Sequence, residues 1–314
     1  MTLNELVRYA SDKSNFESID KYIAFARQYL DFATTGLQAT IISQNEQHYR
    51  FWQYKDEGFF NITRPINSNL MYDAATSRVI ADDFLRVLSA AHDLDETDTA
   101  NRQVLCRSIY TMQQCIGAAL DALAAGQSNT ARKINGDLFE RLIRMLIAHL
   151  GVDCTTGSIS VPVVVDGEEQ FRMSYQHDLI IKEDGEIKAI GGVKTSSKDR
   201  IDKIFMDKFL YSKLTETALP HIAIFLNDVQ RKNTRIPNRY GINSTFLPGH
   251  FKGYTVKLNP LDGVYYCDIR PNMQTDTLLK EHIRTIDYFF CVDLWQFIEQ
   301  QGETRATIEP TGNV

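Results

Sequence analysis

The run Asp178-Leu-Ile-Ile-Lys-Glu-Asp-Gly-Glu-Ile-Lys-Ala-Ile-Gly-Gly-Val-Lys194 constrains the fold more than any other stretch of the chain. Two apolar segments meet at Glu183-Asp184-Gly185-Glu186, and an Asp-Gly pair between strand-forming runs signals a tight hairpin. That hairpin puts an acid at the start of one strand and a lysine at the end of the next. Antiparallel pairing then predicts Asp178 and Lys194 side by side.

The flanking pattern extends this into a layered domain. Residues 135–150 read as an amphipathic helix with Leu138, Leu142, Leu146 and Leu150 on one face. Strand-like runs follow at 159–165, 171–174, 178–182 and 187–193. A second amphipathic helix is predicted over 200–216, with Ile201, Ile204, Phe205, Phe209 and Leu214 turned inward. His221–Leu226 is apolar through its centre, as a strand buried in a sheet would be. Runs 254–258 and 263–267 suggest a later hairpin, and a short helix over 293–300 precedes a polar tail from Gly302. The first 130 residues read mainly as helix, over 18–34, 75–92 and 98–125. An aromatic connector containing Phe51-Trp52-Gln53-Tyr54 and Phe59-Phe60 separates the first two of these helices. Gly126–Thr130 marks a boundary. The expected fold is therefore α/β: a mixed central sheet flanked by helices (131–314, with a C-terminal extension) behind a helical N-terminal region (1–130).

Composition sets limits and poses one puzzle. Hydrophobic residues make up 43% and charged residues 24%, which excludes wholesale disorder. Five cysteines without a CxxC pair fit a reducing compartment, and no apolar run approaches the roughly 20 residues of a membrane span. With no basic-then-apolar leader in the sequence, a cytoplasmic location without membrane attachment is expected. The net charge of −6 argues against a nucleic-acid binder only if it is evenly spread, and it is not. Residues 194–257 carry 12 basic and five acidic side chains, a local +7. A concentrated basic segment is what a polyanion-binding face requires, a solvated surface being the alternative. Its densest part is the predicted loop bearing Arg231, Lys232, Arg235 and Arg239, which suits phosphate contacts.

A carboxylate beside a lysine suits metal-assisted phosphodiester hydrolysis. The acid holds Mg2+ through oxygen, and the lysine orients or activates the attacking water and offsets developing charge. An ordinary cross-strand ion pair is the alternative. A phosphate-binding loop is excluded, because Val193 stands where a glycine must precede the lysine. The other histidines lack HxH or i, i+4 spacing, so zinc is not indicated.

The residues after the lysine, Lys194-Thr-Ser-Ser-Lys198-Asp199-Arg200, lead straight into the 200–216 helix. This arrangement resembles the PD-(D/E)xK type II restriction endonucleases, in particular the branch cutting CCGG, CCNGG or CCWGG sites. The resemblance covers roughly residues 135–228. It implies a Mg2+-dependent, homodimeric enzyme cutting both strands of a short palindrome in duplex DNA, with a separate methyltransferase protecting the host genome. It implies that Lys198, Asp199 and Arg200 read G–C pairs: Arg or Lys donates to guanine, Asp accepts from cytosine. It further implies that Glu140 reaches the metal site, the alternative being that Asp137 and Glu140 are first-turn acids favoured by the helix dipole. The superfamily's usual acid two residues before the lysine is Gly192 here. In this branch a carboxylate from the next helix replaces it, and that position is Asp207. The alternatives are a plain Asp207–Lys203 helix pair, or a glutamate lost or replaced at Gly192, leaving a protein that binds DNA without cutting. Some enzymes of the branch extrude nucleotides onto an aromatic ring, making Trp52 a candidate for base stacking; a core anchor is the other reading. A domain that docks an acidic protein through its basic stretch is the rival from outside nucleic-acid chemistry.

Overall fold

Helix α1 (Leu3–Ser11) begins where Thr2 and Glu5 cap each other's backbone. In chain order there follow α2 (Ile19–Gly36), β1 (Leu37–Ile42), β2 (Tyr49–Tyr54), β3 (Ile66–Asn67), α3 (Ala74–Ser89) and α4 (Thr99–Leu120). Aspartates cap the last two helices: Asp73 accepts from the Thr76 amide and Asp98 from that of Asn101. Then come α5 (Ser128–His149), β4 (Asp153–Val165), β5 (Glu168–Glu183), β6 (Glu186–Lys194), α6 (Ile201–Thr215), β7 (His221–Phe225), β8 (Val229–Asn233) and β9 (Tyr240–Ser244). The C-terminal part comprises α7 (Pro248–Lys257), β10 (Gly263–Tyr266), α8 (Pro271–Thr275), α9 (Thr277–His282), β11 (Ile283–Thr285), α10 (Ile286–Tyr288) and α11 (Leu294–Glu299), with a π-helical turn over Phe289–Asp293. This computed structural model describes residues 1–55, 61–124, 126–198, 200–237 and 239–299. Phe59 and Phe60 of the aromatic connector, and the tail from Gly302, lie outside the described residues.

The central sheet is mixed, in the order β11-β10-β7-β6-β5-β4. Strands β4, β5 and β6 are antiparallel neighbours, and β6, β7, β10 and β11 run parallel. Asp184 and Gly185 turn β5 into β6 with φ of +52° and +81°, the two positive values a two-residue hairpin demands. Asp166 and Gly167 do the same between β4 and β5, at +53° and +85°. The 171–174 and 178–182 runs therefore belong to one 16-residue strand.

Alternate residues of the sheet feed two layers. Leu179, Ile181, Ala189, Val193, Ile222 and Ile224 pack with Leu138, Leu142 and Leu146 of α5 in the main core. Ala223, Phe225, Val264 and Tyr266 pack on Ile201, Ile204 and Phe205 of α6, while Ile180 and Ile190 meet Tyr211. With both faces covered, β7 is buried at every position, as its composition predicts. The main core runs from Leu6 to Phe297 and so crosses residue 130. The Gly126–Thr130 boundary is shorter than expected, since α5 already begins at Ser128.

Three sequence expectations are corrected here. No hairpin joins 254–258 to 263–267: residues 248–257 form α7, opened by Pro248 in its first turn, and β10 pairs in parallel with β7 and β11. Residues 51–54 of the aromatic connector are a strand, β2, central in the small sheet β1-β2-β3 among the N-terminal helices, and Trp52 lies in it. Arg231 and Lys232 stand on a strand, because 229–244 folds as the β8–β9 hairpin. That hairpin packs Val229 and Ile242 on Tyr49 and Phe51 of β2.

The C-terminal segment is tied to α4 by a buried ion pair. Arg102 Nε donates to Asp287 Oδ2 at 2.7 Å, and Cys106 Sγ to Oδ1 at 3.0 Å. Removing one partner strands a buried charge, so Asp287→Ala is expected to lower the urea-unfolding free energy by about 3–5 kcal/mol.

Candidate active site

Three elements bring their side chains to one point. Leu179 pairs with Gly191, and continuing that register sets Asp178 across from Gly192, with Lys194 on the diagonal. Lys194 Nζ donates to Asp178 Oδ2 at 2.5 Å and to Glu140 Oε1 of α5 at 2.8 Å. Asp178 Oδ2 also accepts from the Val193 amide at 2.8 Å, and Arg144 Nη1 lies 3.5 Å from the Asp178 carbonyl. Lys194 is the last residue of β6, so its side chain emerges at the carboxyl end of a strand that runs parallel to β7.

Electrostatics follow from this packing. Burial raises the Glu140 carboxyl above its ordinary range, and the Asp178 charge raises it further, against the opposing pull of Lys194. Burial alone would lower the Lys194 ammonium, but Asp178 and Glu140 outweigh it and hold it above normal. Lys194 is thus a firmly protonated donor. The described hydrogen bonds engage one oxygen of each carboxylate, Oδ2 of Asp178 and Oε1 of Glu140. Two hard carboxylates at a partly open position match the donor chemistry of Mg2+, which takes one or two carboxylates and keeps several waters. Among the described residues no third His, Cys, Asp or Glu completes a metal-binding group.

Asp207 is engaged on its own helix. Its Oδ2 takes the Lys203 ammonium at 2.5 Å, the i, i+4 helix pair, and among the described residues it bonds to neither Asp178 nor Lys194. Gly192 borders the site: a Cβ there would lie 3.6 Å from Asp178 Oδ2 and 3.0 Å from Ile204 Cδ1. A side chain at 192 would therefore aim at Asp178, with Ile204 of α6 in its way. Lys198 and Arg200 are exposed between Lys194 and α6, and Asp199 lies outside the described residues. Arg231, Lys232, Arg235 and Arg239 are exposed on the β8–β9 hairpin and its turn. Arg231 is partly committed, donating to the Ile62 carbonyl at 2.9 Å and lying over the Tyr240 ring. Trp52 packs against the main core and stacks on Tyr29, with centroids 5.9 Å apart and planes at 23°.

Neither a protein-family model nor a curated protein sequence matches the chain. Among solved structures, that of the type IIP restriction endonuclease Kpn2I is similar with a TM-score of 0.68, over 96% of this chain and 99% of that one, at 17% identity. The fold is that of a restriction endonuclease.

The restriction-endonuclease likeness reaches far beyond 135–228, taking in the N-terminal helices, their small sheet and the C-terminal strands. At that identity it carries the fold and not a branch of the family. No described helix is long and apolar enough to cross a membrane. All five cysteines are free, as a chain without a disulfide framework requires.

Sequence reasoning missed the polar residues that follow the parallel strands. Asp228, after β7, accepts from Ser244 Oγ at 2.6 Å. Asp268, after β10, accepts from Tyr49 Oη at 2.9 Å and Asn67 Nδ2 at 2.8 Å. An apolar run ending abruptly in Asp was the available signal. It also missed a buried imidazole pair, His177 and His221, with rings 6.2 Å apart. His221 Nδ1 donates to the Leu219 carbonyl at 2.8 Å, and neither Nε2 has a partner among the described residues. Burial pushes His177 down to about 3 and His221 to about 4. As pH falls below about 6.5, the unfolded chain takes up protons that these imidazoles refuse, so their contribution to stability is lost towards pH 4. Asp268 slopes the other way, because burial raises it to about 7 and the folded state takes its proton first. The His221→Gln variant isolates the histidine: the wild-type advantage in urea midpoint should shrink from pH 7 to pH 5, whereas a constant difference would exclude a neutral His221 as its source.

Proposed function

We propose that this protein is a Mg2+-dependent type II restriction endonuclease, cutting both strands of duplex DNA at a short palindromic site containing CC and GG. The observation that carries the reading is Lys194 Nζ bonded to both Asp178 and Glu140 at the carboxyl end of a sheet strand, within a restriction-endonuclease fold. Asp178 and Glu140 would hold the metal, and Asp207, whose Oδ2 pairs with Lys203, is the third candidate. When bound, Mg2+ supplies a Lewis acid and lowers the pKa of its water. The raised Lys194 ammonium donates to a nonbridging phosphate oxygen and offsets the charge that builds there. Lys198, Asp199 and Arg200 read bases beside the scissile phosphate, while Arg231, Lys232, Arg235 and Arg239 engage the backbone. A palindrome calls for a two-fold dimer, one site per strand, with residues 1–130 free to contribute to that interface or to DNA. Host protection falls to a separate methyltransferase, and the setting is the cytoplasm.

A second reading has its own observation. Asp207 is paired with Lys203 and Gly192 offers no carboxylate, which favours a protein that binds its DNA site without cutting.

Digestion of a plasmid of known sequence with Mg2+ or Mn2+, followed by end mapping, separates these. Discrete ends that disappear with chelator support the enzyme; specific binding without cleavage supports the second reading; neither sinks both. In the enzyme, Lys194→Ala should cut about 100-fold slower or worse while still binding DNA. Asp207→Ala should abolish cleavage if α6 supplies the missing acid, and full activity would exclude that role. In a binding-only protein, Gly192→Glu should switch cleavage on. Replacing Arg231, Lys232 and Arg235 together by Ala should flatten the salt dependence of binding by about 0.9 in log–log slope for every phosphate left without its cation. An unchanged slope would take the hairpin out of the interface.

A further inference from the structure

The basic hairpin and the segment leading to Lys198 and Arg200 meet around the Thr245 hydroxyl. Thr245, directly after β9, donates from Oγ1 to the Asp228 carbonyl at 2.8 Å, and its amide donates to the same oxygen at 2.6 Å. Ser196 Oγ lies 3.3 Å and Ser197 Oγ 3.4 Å from Thr245 Oγ1. A hydroxyl has one proton and two lone pairs. With the Thr245 proton given to Asp228, its lone pairs face the two serine hydroxyls, that of Ser196 at 3.3 Å being the nearer. Ser196 Oγ in turn accepts from the Lys198 amide at 3.3 Å. A directional chain runs from Lys198 N–H through Ser196 and Thr245 to the root of β8. Buried Ser197 adds a backbone bond to the Asn227 carbonyl at 3.3 Å, and the Arg200 amide donates to the Ser197 carbonyl at 3.2 Å.

The far side of the hairpin is equally fixed. Asn45 bonds both backbone groups of Ile242 at 2.9 Å, and the Gln44 amide donates to the Tyr240 carbonyl at 3.0 Å. The hairpin cannot shift on the N-terminal sheet without straining the Thr245 junction.

We propose that Thr245 is a positioning residue that sets the register between backbone engagement by the β8–β9 hairpin and base reading by Lys198 and Arg200, and so determines sequence discrimination. This rests on the DNA-cutting reading above. Linked hydroxyls polarise one another, so loss of the middle member weakens the whole chain.

The test compares the Thr245→Val and Thr245→Ser variants with wild type in two assays. In the DNA-free protein, amide exchange at Ser197 and Lys198 should speed up several-fold in Thr245→Val and return to the wild-type rate in Thr245→Ser. On DNA, the ratio of cleavage rates between the preferred site and single-pair variants should fall about tenfold in Thr245→Val, with an unchanged salt slope of binding, and recover in Thr245→Ser. Unchanged exchange would show that the junction does not exist in solution. Faster exchange with unaltered discrimination, or a Ser variant as impaired as Val, would reduce Thr245 to an ordinary packing residue. If wild type shows no sequence-specific binding or cleavage, the DNA reading itself fails, and the exchange result then describes a structural joint alone.

Discussion

Asp178 and Glu140 approach the same ammonium from a strand and from a helix. Desolvating an unpaired carboxylate costs several kcal/mol, and at Glu140 the Asp178 charge adds to the effect of burial. Lys194 opposes both, but only if α5, β5 and β6 are held in fixed relation. The main core supplies that relation, with the leucines of α5 against Leu179, Ile181 and Val193 of the two strands. Gly191 belongs to the same requirement. A Cβ on it would come within 2.5 Å of the Ile222 carbonyl oxygen, so the close approach of β6 to β7 depends on its absence. Packing that looks like mere stability is therefore what places the charges.

The parts of this arrangement visible in the sequence are those encoded locally. Asp184-Gly185 dictates a turn of one hand, and the apolar runs on either side dictate burial, so the hairpin from Asp178 to Lys194 could be read directly. The helices over 19–36, 74–89 and 99–120 announce themselves by period, and the last two by aspartate caps. Asp166-Gly167 carries the same turn code, yet the polar residues of the overhanging strand hide its continuity with the segment leading to Asp178.

What stayed hidden is set by distant partners. Tyr254–Leu258 is β-branched and aromatic enough to suggest a strand, but Phe251 and Thr255 bury themselves in helical register, and tertiary packing overrides the local preference. Strand β10 finds β7 and β11 across intervening helices, which no short-range pattern encodes. The aromatic stretch around Trp52 gave no strand signal clear of its neighbours, and its role as a sheet only makes sense once Val229 and Ile242 cover Tyr49 and Phe51. Asp207 is the instructive case within the site. The family resemblance nominates it, while in the structure it pairs with Lys203 on its own helix. Which cation a carboxylate meets is set by the fold around it, and no local pattern carries that.

The β4–β5 ribbon has a further consequence. Its outer end carries Val164, Val165 and Phe171 more than half exposed, beyond the layers that cover the rest of the sheet. A two-stranded ribbon without a third strand or a helix beneath it has little cooperative stability of its own. The same strand ends, at Asp178 and beyond, inside the main core. One continuous backbone therefore spans two regimes: opening its tip exposes few buried contacts, whereas opening its root would disrupt the main core. The packing that holds Asp178 does not depend on the Asp166-Gly167 end of its own strand.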